Sequence, residues 1–223
     1  MDPAPSPVER WWRGHWPPVL TSLLAVTLVG IAAHSTAQAG WVPEAGRYAA
    51  GLGWGAACGA ALALSRYRAR FALAYSLTLS LTAAAEAAGR IFPPLADLPF
   101  IPTLWLDIHT RTLTLGDRAS AWVNAFVSGA AVRDTGLFVF LAYGLLWQTA
   151  AWLMWSLLRR RQALAAVLPL AALLGLNNQL AGRLPGEYAV FLGVAVVVIG
   201  HLARQAALAD WEHRAVDYAE AID

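Results

Sequence analysis

Long uncharged apolar runs, broken by short segments that carry arginine, set the pattern of this chain. Residues 136–158 hold no charged side chain, and a helix rising about 1.5 Å per residue needs about 20 residues to cross the hydrocarbon core of a bilayer. A transmembrane helix is predicted there. Arg159, Arg160 and Arg161 end it, and a second apolar run follows over residues 162–176, extended by the polar Asn177, Asn178 and Gln179. A turn over residues 182–186 then opens a third run, 187–208. Upstream, residues 17–33, 48–65 and 71–88 predict three more spans. The expected fold class is all-α, a polytopic membrane protein of about six transmembrane helices.

The longest stretch without a predicted span, residues 93–135, opens on Pro93, Pro94, Pro99 and Pro102. Within it, residues 117–132 place Trp122, Ala125, Phe126 and Gly129 at helical intervals behind a capping aspartate. This predicts a short interfacial helix, lying on the membrane with its aromatic face down. The chain divides accordingly into a polar N-terminal segment (1–16), helices 1–3 (17–92), the long loop (93–135), helices 4–6 (136–208) and a polar helical tail (209–223).

Arginine placement orients the bundle. With the N-terminus in the cytoplasm, the two short inner loops hold Arg66, Arg68 and Arg70, and Arg159, Arg160 and Arg161, whereas the short outer loops hold Arg47 and Arg183 alone. Positive charge favours the inside. Both termini are then cytoplasmic, in a multi-pass protein of the plasma membrane whose long loop is extracytoplasmic.

Composition agrees with membrane burial: 58% of the residues are hydrophobic and 13% charged, against about 25% charged in soluble domains. The net charge of +2 comes from arginines scattered at helix ends rather than gathered in a stripe. That distribution argues against a nucleic-acid partner and for the lipid bilayer. Cys58, the single cysteine, cannot form an internal disulfide and sits in an alanine and glycine run, as a packing residue does.

Several spacings carry further expectations. Gly51, Gly55 and Gly59 recur every four residues, so one helix face lets a neighbour approach closely. Glu86 and Arg90, four apart, suit a structural ion pair. Pro169 lies inside the fifth span, where it removes one backbone hydrogen bond, bends the helix and leaves the Ala165 carbonyl for a neighbouring helix to cover. Gln148, Asn177, Asn178, Gln179 and His201 are the polar side chains in or at the ends of spans, and so the candidate site residues. Asp107 and His109 lie two apart with no third ligand in register and read as a solvated loop. A catalytic thiol needs a base and an orienting group, and Cys58 has no histidine near it in sequence. No catalytic, cofactor-binding or metal-binding motif is read from the sequence.

The order DTGLFVFLAYGLLWQTAAWLMWSLLRRR, AVLPLAALLGLNN, EYAVFLGVAVVVIGHLARQ and DWEHRAVDY, preceded by WVNAFVSGAAVRD, resembles the multi-pass N-terminal region of bacterial membrane-bound transglutaminase-like proteins. The resemblance covers residues 122–223 and rests on aromatic, arginine and proline landmarks. In that family the region is followed by a further membrane helix and an extracytoplasmic papain-like domain with a Cys, His and Asp triad, which this sequence ends before. No catalytic residue carries over. The resemblance implies a non-catalytic membrane-anchoring and assembly region, partnered by the bilayer and by a C-terminal extracytoplasmic domain or other membrane subunits. The alternative is a small standalone transporter or lipid-interacting membrane protein.

Overall fold

A computed structural model describes residues 7–39, 45–92, 101–131, 134–182 and 185–214. They form α1 (Pro7–Gln38), α2 (Ala45–Leu64), α3 (Ala69–Gly89), α4 (Ile101–Ser128), α5 (Thr135–Trp155) with a π-helical continuation Ser156–Arg160, α6 (Ala163–Ala181) and α7 (Pro185–His213), with no strand among the described residues. The chain is an all-α membrane protein. Five helical segments, Pro18–Gln38, Ala69–Gly89, Thr135–Arg160, Ala163–Ala181 and Gly186–Trp211, are long and apolar enough to cross a bilayer.

Helix α2 falls outside that set, although a span was expected at residues 48–65. Its glycines and alanines carry little hydrophobicity per residue. It nevertheless runs the length of the bundle, from Gly51 against Tyr143 to Ser65, whose carbonyl accepts from Arg159 at 2.5 Å. Neighbouring helices cover much of its surface, so less of it has to be matched to lipid.

Side-chain pairings give the directions of the helices. Gly51, Gly55 and Gly59 meet Tyr143, Trp147 and Ala151 in the same order, so α2 and α5 are parallel. Ser76 donates to Gln148 at 3.0 Å and Ser80 to the Gly144 carbonyl at 3.1 Å, which makes α3 antiparallel to α5. The remaining pairings, Trp152 with Ala165, Asn177 with Ser35 and His34 with Glu187, complete an up-and-down order in which α5 packs against α2, α3 and α6. One end of the bundle gathers Arg66, Arg68, Arg70, Arg159, Arg160 and Arg161. We call it the arginine end, and its opposite the α4 end.

The tightest packing lies along the three glycines. A Cβ on Gly55 would stand 2.8 Å from the Trp147 Cα, and one on Gly59 2.7 Å from the Ala151 Cα, distances that no real methyl group tolerates against backbone. Gly51 faces the Tyr143 ring. Around this seam lie buried Tyr143, Trp147 and Ala151 with Ala84 of α3 and half-buried Cys58, while a second cluster joins α1, α5, α6 and α7 through Leu28, Leu153, Leu170 and Phe191.

The proline expectation is met at its hydrogen bond. Pro169 cannot donate to the Ala165 carbonyl, and the indole N–H of Trp152 on α5 donates to that oxygen instead, at 2.7 Å. A polar atom that α6 cannot satisfy itself becomes the pin between two helices.

Two boundaries differ from expectation. Helix α1 already begins at Pro7, inside the polar N-terminal segment and ahead of the span expected from residue 17, and proline is tolerated in a first turn. Helix α4 begins at Ile101 rather than near residue 117, so Asp107 and His109 lie on a helix and not in a loop. The Thr-rich stretch of residues 110–114 hides this, because β-branched residues lower helix propensity. In the structure the Thr110, Thr112 and Thr114 hydroxyls donate to the carbonyls of Leu106, Ile108 and Thr110, one turn back. Asp107 and Arg111, 3.8 Å apart, add an i,i+4 ion pair. Pro93, Pro94, Pro99, Arg183 and the tail beyond Arg214 lie outside the described residues.

Gly55→Ala and Gly59→Ala should each destabilise the bundle by about 1–3 kcal/mol through forced separation of two backbones. Gly53→Ala, with nothing within 4 Å of the added methyl, should be close to neutral. Thermal unfolding of the purified chain in one detergent compares all three; equal behaviour at positions 53 and 55 would contradict the seam.

Candidate functional site

The polar groups of a membrane bundle are best read by asking what each one holds. The densest convergence is at the α4 end, on Asp134. This residue caps α5, its Oδ1 accepting from the Gly136 amide at 2.8 Å. The same carboxylate receives a bidentate Arg118 fork, Nε to Oδ2 at 2.9 Å and Nη2 to Oδ1 at 2.6 Å, and the Trp122 indole N–H at 2.7 Å. Arg118 and Trp122 lie one turn apart on α4, so a single carboxylate fastens that helix to the mouth of α5. Gly136 leaves the space beside it that the Arg118 guanidinium occupies, and a side chain there would push that group aside. With Arg118 foremost and the Gly136 amide and Trp122 in support, the Asp134 carboxyl is held far below the usual carboxylate range.

At the same end of the bundle is a cavity of about 610 Å³, with Arg47, Glu86, Arg90, Arg111 and Tyr143 among its walls. Glu86 lies in the last turn of α3 and Arg90 is its C-cap. The Arg90 amide donates to the Glu86 carbonyl at 2.8 Å, and the Glu86 carboxylate accepts from the Phe92 amide at 3.0 Å. Arg90 takes a left-handed φ of 47°, turning its carbonyl toward Arg111, which donates to it at 2.8 Å. Both residues thus shape the α3 terminus against α4.

The sequence-derived polar residues are dispersed. Asn177 is buried and its amide donates to Ser35 Oγ at 3.2 Å, joining α6 to α1. Asn178 is half-buried beside it and Gln179 is exposed. Gln148 is half-buried and accepts from Ser76 of α3. His201 is half-buried on α7, its Nε2 2.6 Å from Gln205 Nε2. Asn177 and Asn178 adjoin in sequence; Gln148 and His201 each lie in a different helix pairing. An apolar cavity of about 280 Å³, with Phe138, Leu141 and Leu173 among its walls, separates α5 from α6 on the Asn177 side.

Sequence reasoning missed Arg118, Trp122 and Asp134 as a unit. The available signal was the capping Asp134 immediately before the longest uncharged run, with a basic and an aromatic residue one turn apart upstream. Which of the loop's charges would meet it depends on how α4 folds back.

Among the described residues no group of three histidine, cysteine or carboxylate side chains is placed to hold a metal. No family model, no curated protein and no solved structure matches this chain.

Because the folded Asp134 has a depressed pKa, its stabilising contribution is fully present above its ordinary value of about 3.9 and fades as the pH falls through the lower folded value. The docking of α4 should therefore persist unchanged from neutral pH to about pH 4. Asp134→Asn, which loses the ion pair, should speed amide hydrogen exchange across residues 104–126 at neutral pH while leaving α2 and α5 protected. Unchanged exchange in α4 would refute the clamp.

Proposed function

We propose that this chain is a non-catalytic membrane-anchoring and assembly module of the plasma membrane, with its arginine end in the cytoplasm and α4 on the extracytoplasmic side. The observation that carries the reading is the Asp134 clamp. Three donor groups converge on one carboxylate to hold an amphipathic helix against the bundle, while Trp105, Phe126 and Val127 on that helix stay more than 70% exposed. A rigidly held helix with apolar side chains left uncovered suits the presentation of a surface to lipid or to another protein.

The arginine asymmetry supports the orientation. The resemblance of residues 122–223 to transglutaminase-like membrane proteins supports an extracytoplasmic transglutaminase-like domain as the cargo of this proposed module. Cys58 fits a packing role: it is half-buried against the Tyr143 and Trp147 cluster. Cys58→Ala should fold and insert normally, with a packing loss on the order of 1 kcal/mol.

Two measurements test the proposal. In the Cys58→Ala background, a membrane-impermeant thiol reagent applied from outside should label a cysteine at Arg183 and spare one at Arg160; the reverse pattern overturns the orientation. Reading the coding frame past Asp223 should reveal a further apolar span and a domain with cysteine and histidine. A stop codon there would favour the standalone transporter or lipid-interacting reading instead.

A further inference from the structure

At the arginine end, a groove of about 180 Å³ opens sideways between α2, α3 and α5. Arg70, in the first turn of α3, and Arg160, at the close of the π-helical segment after α5, stand at its mouth. Neither guanidinium meets a carboxylate among the described residues. Arg70 lies over the Phe71 ring at 4.9 Å and Arg160 over the Trp152 ring at 5.6 Å, contacts that orient each cation and leave its N–H groups available. Below the mouth the walls are apolar, with Leu62, Leu73 and Trp155 among them, and the floor is the hydrogen-bonded pair Ser76 and Gln148. Ser76 is six residues along α3 from Arg70, so the floor lies about 9 Å deeper.

We propose that this groove is a binding site for an anionic phospholipid of the leaflet at the arginine end. Two unneutralised guanidinium groups fork toward one phosphodiester, which matches their planar donor geometry. The apolar walls and the sideways opening take the first segment of an acyl chain, which free phosphate lacks. A basic recess between membrane helices, at the level of the headgroups, is where lipid charge and lipid chain can both be met. The π-helical segment positions the cation. Its wider turn ends in Arg161 at a left-handed φ of 53°, and the Ser156 carbonyl accepts from the Arg161 and Gln162 amides, so the helix closes with Arg160 held beside the groove.

The site is distinct from the Asp134 clamp and does not depend on the anchoring role. Its test uses the full chain purified in a neutral detergent, with phosphatidylglycerol, phosphatidylcholine and inorganic phosphate as probes, read by native mass spectrometry and thermal unfolding. Phosphatidylglycerol should be retained as one tight copy and raise the unfolding temperature, and phosphatidylcholine should do neither. Arg70→Gln with Arg160→Gln should weaken retention about tenfold or more, since each interfacial arginine is worth about fivefold. Arg66→Gln with Arg68→Gln removes the same charge from the same end without lining the groove, and should weaken it far less. Equal losses in the two double variants would show diffuse surface attraction and overturn the site. Stabilisation by inorganic phosphate as strong as that by phosphatidylglycerol would make the ligand a free anion and overturn the lipid assignment.

Discussion

The backbone-to-backbone approach of α2 and α5 is the constraint on which the rest of the bundle depends. Lipid chains are as apolar as leucine, so helices in a bilayer gain little from hydrophobicity when they associate and must gain from close packing. Gly55 and Gly59 leave room for Trp147 and Ala151 to come within reach of the α2 backbone itself. Once α2 and α5 are joined, α3 docks through Ser76 and Ser80 onto polar atoms of α5, and α1 packs against α2. This also accounts for the place of α2, which is not among the five long apolar spans, beside α5 and α1.

Hydrogen bonds inside this protein act as pins at places where a helix cannot satisfy itself. Pro169 leaves the Ala165 carbonyl open and Trp152 fills it; the end of α2 leaves the Ser65 carbonyl open and Arg159 fills it. In a medium without water each unsatisfied backbone group costs several kcal/mol, so such donors help to fix the register of neighbours. Asp134 works by the same logic at the bundle's end, serving at once as the cap of α5 and the anchor of α4.

Many chemistry-bearing side chains thus hold helices together, whereas the groove between Arg70 and Arg160 opens outward. There the charges meet aromatic faces rather than carboxylates. The two ends differ: at one, Asp134 is paired with Arg118, and at the other Arg70 and Arg160 lie over aromatic rings.

Much of the architecture is local in origin and could be read from residue order. Helix type and number follow from uncharged runs of the length a bilayer requires, and the close α2 face follows from glycines at every fourth position, because both are properties of a single helix. The need for a donor at Ala165 is likewise written in Pro169. What local pattern could not supply is the partner. That Trp152 is the donor, that Arg118 and Trp122 reach Asp134, and that Gln148 faces Ser76 rather than Asn177 or His201 are decided by helix rotation and by the return of α4. The extent of α4 was also hidden, since its threonines lower helix propensity and tertiary context overrides that preference. Sequence spacing specifies faces and demands, and the assembled bundle alone determines which side chain meets each demand.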